Sequence, residues 1–171
     1  MEVVILDNLS NSERAVLEGI RSITGKDPVF EEVDLRNRED TFRVFEKHHN
    51  MDAIIHFAAF KAVGESVEKP LEYYENNILS LIHLLEAMRN HAVDCLVFSS
   101  SCTVYGEPDV LPVTEQAPIK KANSPYGNTK QISEEILQDT VASTKGKGVI
   151  SLRYFNPIGA HESALIGELP I

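Results

Sequence analysis

Residues 97–106 read V-F-S-S-S-C-T-V-Y-G, an apolar run that passes into three consecutive serines. The pattern over 94–98 predicts a buried strand, and the serines at 99–101 mark its end. Ligands of open α/β sheets bind at the carboxyl ends of the strands. Ser99, Ser100 and Ser101 are therefore candidate site residues.

Residues 124–130 read S-P-Y-G-N-T-K and predict the start of a helix. Ser124 suits the N-cap, and proline suits the next position, the first of the helix. Tyr126 and Lys130 stand four residues apart, so they share one face. A cation beside a phenol favours the phenolate and lowers its pKa, and such a phenol near a serine can move a proton at an alcohol oxygen. Alone, this spacing also fits a surface helix whose tyrosine packs on a lysine stem.

Short apolar runs alternate with helical patterns on both sides of this stretch. The alternation predicts an α/β fold: a doubly wound, Rossmann-like parallel sheet with helices on both faces. The helix over 71–90 has an apolar stripe at Ile78, Leu81, Ile82, Leu85 and Met88, which predicts its core-facing side. The predicted strands are 3–6, 28–33, 52–57, 94–98 and 149–154, and the predicted helices are 13–24, 39–48, 71–90 and 124–141.

The composition is that of one ordinary soluble domain: 171 residues, 43% hydrophobic and 25% charged. The net charge of −10 argues against nucleic acid or an anionic membrane as a partner. Cys95 and Cys102 match neither a zinc site nor a redox motif, and Cys95 is expected to be buried in its strand. We expect no metal site. No apolar run reaches membrane-spanning length and no signal peptide is evident, which favours a cytoplasmic protein.

Asp7 and Asn8 follow the first predicted strand. An acidic residue in this position of a dinucleotide-binding fold accepts hydrogen bonds from the adenosine ribose. The same pair can simply start a turn before a helix capped near Ser10 or Ser12. Asp34 follows the second predicted strand, where it can serve as the N-cap of the next helix.

Two further polar side chains interrupt otherwise apolar segments. His56, at the end of a strand, is better explained as a satisfied strand histidine than as a metal ligand. Asn76 lies inside a predicted helix, although asparagine is a poor helix former. It either faces a cofactor or is simply exposed to solvent.

Several motifs together resemble one family, the extended short-chain dehydrogenase/reductases, and in particular its nucleotide-sugar 4-epimerases. They are D-N-L-S-N-S at 7–12, H-F-A-A-F-K-A-V-G-E-S at 56–66, Y-Y-E-N-N at 73–77, the two segments quoted above and R-Y-F-N-P-I-G-A-H at 153–161. The resemblance runs over nearly the whole chain. It implies NAD as cofactor, a UDP-hexose as substrate and a possible homodimer.

The resemblance also implies an activity, the interconversion of UDP-glucose and UDP-galactose by inversion at C4 through a 4-keto intermediate. Tyr126, with Lys130 and the cofactor lowering its pKa, would remove the C4 hydroxyl proton, and Ser101 would hydrogen-bond the oxygen. The substrate-binding residues it implies are Lys61, Ser101, Tyr126 and Asn156. The cofactor-binding residues it implies are Asp7, Asn8, Asn11, Asp34, Leu35, Phe57, Ala58, Lys61, Asn76, Tyr126, Lys130 and Phe155.

We expect the chain to depart from the family at both ends. We expect it to lack the first strand and the glycine-rich loop that holds the pyrophosphate, which would expose two ladder edges. We expect residues 1–171 to form a partial NAD-binding domain without the smaller substrate domain. A catalytically silent fragment and another nucleotide-sugar epimerase are the alternatives. A 4,6-dehydratase is disfavoured, because Cys102 and Thr103 stand where that branch carries an Asp-Glu pair.

Overall fold

The structure is a computed structural model, and it describes residues 2–167. The chain divides into two units, Met1–Asp34 with Asn156–Ile171 and Leu35–Phe155. Both ends of the predicted domain 1–171 lie outside the described residues.

The first unit contains a two-stranded parallel sheet. Strand β1 (Val4–Asp7) pairs with β2 (Val29–Glu32), and helix α1 (Ala15–Thr24) connects them. Helix α1 ends at Gly25, whose φ of 68° is left-handed and whose N–H donates to the Arg21 carbonyl at 2.8 Å. Glycine takes this conformation without steric cost, so it stops the helix cleanly.

The start of α1 differs from the prediction. Its N-cap is Arg14, which makes no side-chain capping bond, so the predicted cap at Ser10 or Ser12 is wrong. The Ser12 hydroxyl donates instead to Asp7 Oδ1 at 2.9 Å. The Ser12 hydroxyl therefore binds the Asp7 carboxylate at the end of β1 and does not cap α1.

The second unit contains a three-stranded sheet and the longer helices. Between its helices lie a π-helical turn (Glu75–Leu79) and a 3₁₀ turn (Cys102–Tyr105). Neither turn was predicted, and neither was α3. The regular elements are α2 (Arg38–Lys47), β3 (Ala53–His56), α3 (Val63–Glu68), α4 (Pro70–Tyr74), α5 (Ser80–Asn90), β4 (Cys95–Ser101), α6 (Pro125–Ser143) and β5 (Gly148–Tyr154).

The strands of the second unit are parallel and lie in the order β3-β4-β5. The parallel pairing confirms the predicted α/β class. Strand β4 extends three residues beyond its predicted end, because Ser99, Ser100 and Ser101 pair with β5 up to Tyr154. The three hydroxyl residues are therefore the last rungs of the ladder.

The core of the second unit lies against one face of this sheet. Leu96 and Phe98 of β4 are each 2% exposed and pack with α5 and α6. On the other face, Ile55 is 63% and Ile150 60% exposed. Cys95 is also exposed, so its predicted burial is wrong: side chains alternate along a strand, and Cys95 points away from Leu96. The core residues are Phe45, Leu81, Leu84, Ala87, Met88, Val93, Leu96, Phe98 and Leu137.

The predicted continuous helix over 71–90 is interrupted by the π-helical turn. A π turn carries one residue more than an α turn, so it rotates the residues that follow it. Leu81 and Met88 are buried as predicted, but Ile82 is 38% exposed, and Leu84 and Ala87 are buried beside them.

Helix α2 is capped by Asn37, whose side chain accepts from the Asp40 N–H at 3.2 Å. The interpretation of Asp34 as this cap is therefore wrong. Asn37, three residues after Asp34, is the N-cap because it directly precedes the first helical turn.

Candidate active site

The end of β4 and the start of α6 meet through the 3₁₀ turn. The Ser101 side chain accepts from the Thr103 N–H at 3.2 Å and is 7% exposed. A Cβ placed on Gly127, in the first turn of α6, would lie 3.3 Å from the Thr103 Cβ. Glycine at this position therefore permits the close approach of α6 to the turn. The predicted N-cap is confirmed, since Ser124 Oγ accepts from the Gly127 N–H at 3.1 Å.

Tyr126 and Lys130 lie on one face of α6, as their spacing predicts. The Lys130 Nζ is 5.9 Å from the Tyr126 ring centroid and 4.9 Å from that of Phe98. It donates to the Ser99 carbonyl at 2.8 Å, and the residue is only 4% exposed. Burial lowers the pKa of Lys130 from 10.5 to about 8.

The predicted lowering of the Tyr126 pKa by Lys130 is not what the structure shows. Burial raises the pKa of Tyr126, because it penalises the charged phenolate. A hydrogen bond with Ser101 and the charge of Lys61 oppose this rise without cancelling it, and the Cys102 thiol adds to it. Lys130 directs its ammonium to the Ser99 carbonyl, so the cation that favours the phenolate here is Lys61.

A residue that the sequence did not single out, Asn77, holds the segment that carries Lys61. Asn77 is 4% exposed and lies in the π-helical turn. Its Oδ1 accepts from the Phe60 N–H at 2.8 Å, and its Nδ2 donates to the Phe60 carbonyl at 2.9 Å and to Thr129 Oγ1 at 3.1 Å. Thr129 in turn donates to the Tyr126 carbonyl at 2.7 Å. Asn77 thus links the Lys61 segment to α6.

Asn76, the predicted member of the pair, is half-buried, and its Nδ2 donates to Asn77 Oδ1 at 3.0 Å. Asn76 therefore helps to orient the Asn77 amide, which holds Phe60 and Thr129. The signal available in the sequence was two adjacent asparagines inside a helix, and the buried one is the second.

In the first unit, Asp7 ends β1 and Asn8 follows it in the turn. Asp7 Oδ1 accepts from the Leu9 N–H at 2.7 Å, and Asn8 Oδ1 accepts from the Ser10 N–H at 3.1 Å. The turn interpretation is thus confirmed. A carboxylate accepts more hydrogen bonds than the two that Asp7 makes here with Leu9 and Ser12, so the turn leaves capacity for a ligand. Asn11 is exposed.

Asp34 and Leu35 lie at the boundary of the two units. Asp34 is half-buried, whereas Leu35 is 9% exposed and belongs to the second unit. The Leu35 carbonyl lies 3.0 Å from His83 Nδ1 and accepts from Thr41 Oγ1 at 3.3 Å. Leu35 is therefore held mainly through its backbone.

Beyond β3, the structure leaves Phe57 62% exposed and Ala58 exposed. The Phe57 ring lies 6.3 Å from the ring of Tyr154, at the carboxyl end of β5. His56 is buried and stacks on Phe98 at 6.0 Å, and burial, with a smaller contribution from Lys130, lowers its pKa to about 3. It is thus a neutral strand histidine, as predicted.

Phe155 follows β5 and is 57% exposed. It lines a cavity of about 690 Å³ in the second unit, together with Glu134 and Arg153. Ser101, Tyr126 and Lys130 do not line this cavity. Asn156 belongs to the first unit and is exposed.

Within residues 2–167, no three His, Cys, Asp or Glu side chains are grouped so that they could hold a metal ion. Over the same residues, no helix combines the length and apolar character that a membrane crossing requires.

Comparison with known proteins shows the family of the chain. The model of the NAD dependent epimerase/dehydratase family matches residues 1–168. UDP-glucose 4-epimerases from Neisseria meningitidis and Dictyostelium discoideum are 48% and 52% identical to the chain over 99% and 98% of its length. These matches cover 50% and 48% of the two relatives, so the chain spans about half the length of the curated relatives it matches.

A solved structure shows the same fold. The crystal structure of UDP-glucose 4-epimerase from Bifidobacterium longum, in complex with NAD+ and UDP, superimposes with a TM-score of 0.95 at 47% identity. It covers 98% of this chain, and the chain covers 50% of it. The Rossmann-like fold predicted from the sequence is therefore confirmed. With its family model matched over 168 residues and its relatives near 50% identity, the chain belongs to the NAD dependent epimerase/dehydratase family.

Proposed function

We propose that the protein is an NAD-dependent isomerase that interconverts UDP-glucose and UDP-galactose by inversion at C4, through a 4-keto sugar. The observation that carries this proposal is that Tyr126 and Lys130 share one face of α6, with the Lys130 Nζ 5.9 Å from the Tyr126 ring centroid, while Ser101 at the end of β4 lowers the pKa of the phenol. The high identity to UDP-glucose 4-epimerases supports the choice of reaction. We assign residues 1–171 to the NAD-binding domain and its catalytic groups.

Tyr126 exchanges a proton with the oxygen on C4. Ser101 and Lys61 favour the phenolate, so they assist removal of that proton. The return of the proton completes the inversion after the keto sugar has presented its other face. The single hydroxyl proton of Ser101 is donated to the phenolate, and it can pass to the C4 oxygen once Tyr126 carries its own proton again, which holds that oxygen beside the phenol.

Each unit, taken by itself, contains side chains that suit a part of NAD. The Lys130 ammonium has three donors and gives one to the Ser99 carbonyl, so the others can hold the hydroxyls of the nicotinamide ribose. Asp7 has acceptor capacity for the adenosine ribose. When bound, NAD supplies a reversible hydride acceptor for C4. The residues that we propose to contact it are Asp7, Asn8, Asn11, Asp34, Leu35, Phe57, Ala58, Lys61, Asn76, Tyr126, Lys130 and Phe155.

The substrate that we propose is a UDP-hexose, held by Lys61, Ser101, Tyr126 and Asn156. Elimination of water from the sugar is disfavoured, because Cys102 and Thr103 supply no carboxyl group for the additional acid and base steps. We further propose a cytosolic enzyme that forms homodimers.

The proposal is tested with Tyr126→Phe in the intact protein. Loss of the hydroxyl removes the proton carrier, so turnover of UDP-galactose should fall by about 100-fold or more while NAD stays bound. Tyr74→Phe is the matched control, since its hydroxyl accepts from Asn128 of the same helix at 2.7 Å. Unchanged turnover in Tyr126→Phe contradicts the assignment. Conversion of UDP-N-acetylglucosamine in preference to UDP-glucose would contradict the substrate assignment and indicate an epimerase of N-acetylated sugars.

A further inference from the structure

An ion pair between a buried carboxylate and a half-buried guanidinium links four elements of the second unit. Glu134 of α6 is 4% exposed. Its Oε1 accepts from Arg153 Nε at 2.9 Å and its Oε2 from Arg153 Nη2 at 2.6 Å. Arg153, on β5, also donates from Nη1 to the Tyr105 hydroxyl at 3.0 Å. The remaining partner is Ser100 of β4, whose hydroxyl donates to Glu134 Oε1 at 2.6 Å.

The position of Glu134 on α6 relates it to the two proposed catalytic groups of that helix. It lies four residues after Lys130 and eight after Tyr126, so the three side chains follow one face. Burial alone would raise the pKa of Glu134, but the hydrogen bonds from Arg153 and Ser100 outweigh it and hold the pKa below its usual value. Glu134 is therefore an ionised acceptor with fixed partners.

Ser100 is the point at which this cluster reaches the proposed site. Its predecessor, Ser99, provides the carbonyl that accepts from Lys130 Nζ. Its successor, Ser101, provides the hydroxyl that lowers the pKa of the Tyr126 phenol. Ser99 and Ser100 thus make two separate hydrogen bonds with one face of α6, and Ser101 follows them in the strand.

We propose that Glu134 is a positioning residue, which through Ser100 fixes the end of β4 against α6 and so sets the Ser99–Lys130 hydrogen bond and the place of Ser101 next to it in the strand. The catalytic meaning of these contacts rests on the proposed function, whereas the contacts themselves belong to the fold.

Stability alone is a poor explanation for this arrangement. Removing charges from water is costly, and well-packed apolar replacements for buried ion pairs are often neutral or stabilising. A bidentate pair does, however, fix direction as well as distance. Orientation of the strand end relative to the helix is a role that an apolar pair would not fill.

The test follows the ionisation of Tyr126 in the intact protein, by NMR of ¹³Cζ-labelled tyrosine with Tyr126→Phe to assign the signal. Ser100→Ala removes the contact with Glu134 and leaves the ion pair with Arg153 in place. Without the Ser100–Glu134 bond, Ser101 should lose its place beside the phenol. Because Ser101 favours the phenolate, this displacement should raise the pKa of Tyr126 further.

The titration of Tyr126 also depends on its other neighbours, which the Ser100 variant leaves unchanged. The groups that face the phenol are Lys61, Cys102, Lys130 and Tyr73. Glu135→Gln is the matched control, because Glu135 is the next residue of α6 and is exposed. It should leave the titration of Tyr126 as in the wild-type protein.

Two further variants separate positioning from bulk stability. Glu134→Gln keeps an oxygen where Oε1 accepts from Ser100 and from Arg153 Nε, and loses only the acceptor of Arg153 Nη2, so with the Ser100 contact retained Tyr126 should titrate as in the wild type. Glu134→Leu combined with Arg153→Met removes both charges and should shift Tyr126 as Ser100→Ala does. If Tyr126 titrates as in the wild type in a folded Ser100→Ala or double variant, the proposal is overturned.

The turnover of the variants gives a second readout. Misplacement of a catalytic group costs rate, so Ser100→Ala should lose about 10- to 100-fold in kcat while KM for the UDP-sugar changes little. An inactive wild-type protein would contradict the proposed function instead. In that case the Tyr126 titration still decides whether Glu134 positions the strand.

Discussion

The amide of Asn77 offers a sharp test of how the Lys61 segment is held. Asn77→Ala removes both hydrogen bonds to Phe60 and the bond to Thr129. An unsatisfied buried polar group costs about 1–3 kcal/mol. Because Phe60 is half-buried, we take the lower part of that range for its N–H and carbonyl, which gives a loss of about 2–3 kcal/mol.

The adjacent residue is the matched control for this variant. Asn76→Ala removes one bond, from Nδ2 to Asn77 Oδ1, and should cost about 0.5–1 kcal/mol. Urea unfolding with an unchanged slope measures the free energy of unfolding of both variants. Hydrogen exchange at the Phe60 amide localises the effect, since its N–H loses its acceptor only in the Asn77 variant. Equal stability of the two variants, with Phe60 still protected, would refute the reasoning.

Three further predictions concern single side chains of the second unit. Lys130→Met removes a lysine whose pKa is 10.5 in the unfolded chain and about 8 in the folded protein. Between these two pH values the unfolded chain binds more protons, so the free energy of unfolding of the wild type relative to this variant should rise with pH, by up to about 3 kcal/mol. Urea titrations at each pH measure this difference. Ser124→Ala removes the N-cap of α6 and should cost about 1 kcal/mol in the same assay, whereas an unchanged midpoint would contradict the capping role. Thr103 Oγ1 is buried without a partner among the described residues, so the isosteric Thr103→Val should leave the free energy of unfolding unchanged or raise it by about 1 kcal/mol, and a marked loss would show that the hydroxyl has a partner.

The strands, most helices and the Tyr126–Lys130 face could be predicted because their signals are local. Ser124 and its following proline mark the start of α6 whatever surrounds them, and four residues always return to the same side of a helix. The family motifs likewise lie in short contiguous segments. Predicting these features does not require the tertiary contacts to be known.

Features that depend on distant partners could not be predicted. The π-helical turn places Asn77 against Phe60 and Thr129, 17 and 52 residues away. The Tyr126 pKa was predicted from its neighbour on the helix, but burial dominates it. Burial is a property of the packed unit and is not visible in a four-residue spacing.

The sequence contains only a weak signal for the role of Glu134. It continues the face of Tyr126 and Lys130, and Arg153 is the single charged residue in the strand G-V-I-S-L-R-Y. An acid on a helix face that must be buried and a base inside an apolar strand suggest a buried pair. Their pairing could not be read from the sequence, because nothing local relates residue 134 to residue 153.

The measurement that tests the central proposal most directly is ¹H NMR of UDP-galactose incubated with the intact protein in D₂O. If C4 is inverted by removal and return of the same hydride, with Tyr126 handling only the hydroxyl proton, UDP-glucose accumulates and C4 keeps its protium. Deuterium at C4 would show that the carbon-bound hydrogen leaves as a proton. That result, or no UDP-glucose at all, would contradict the account.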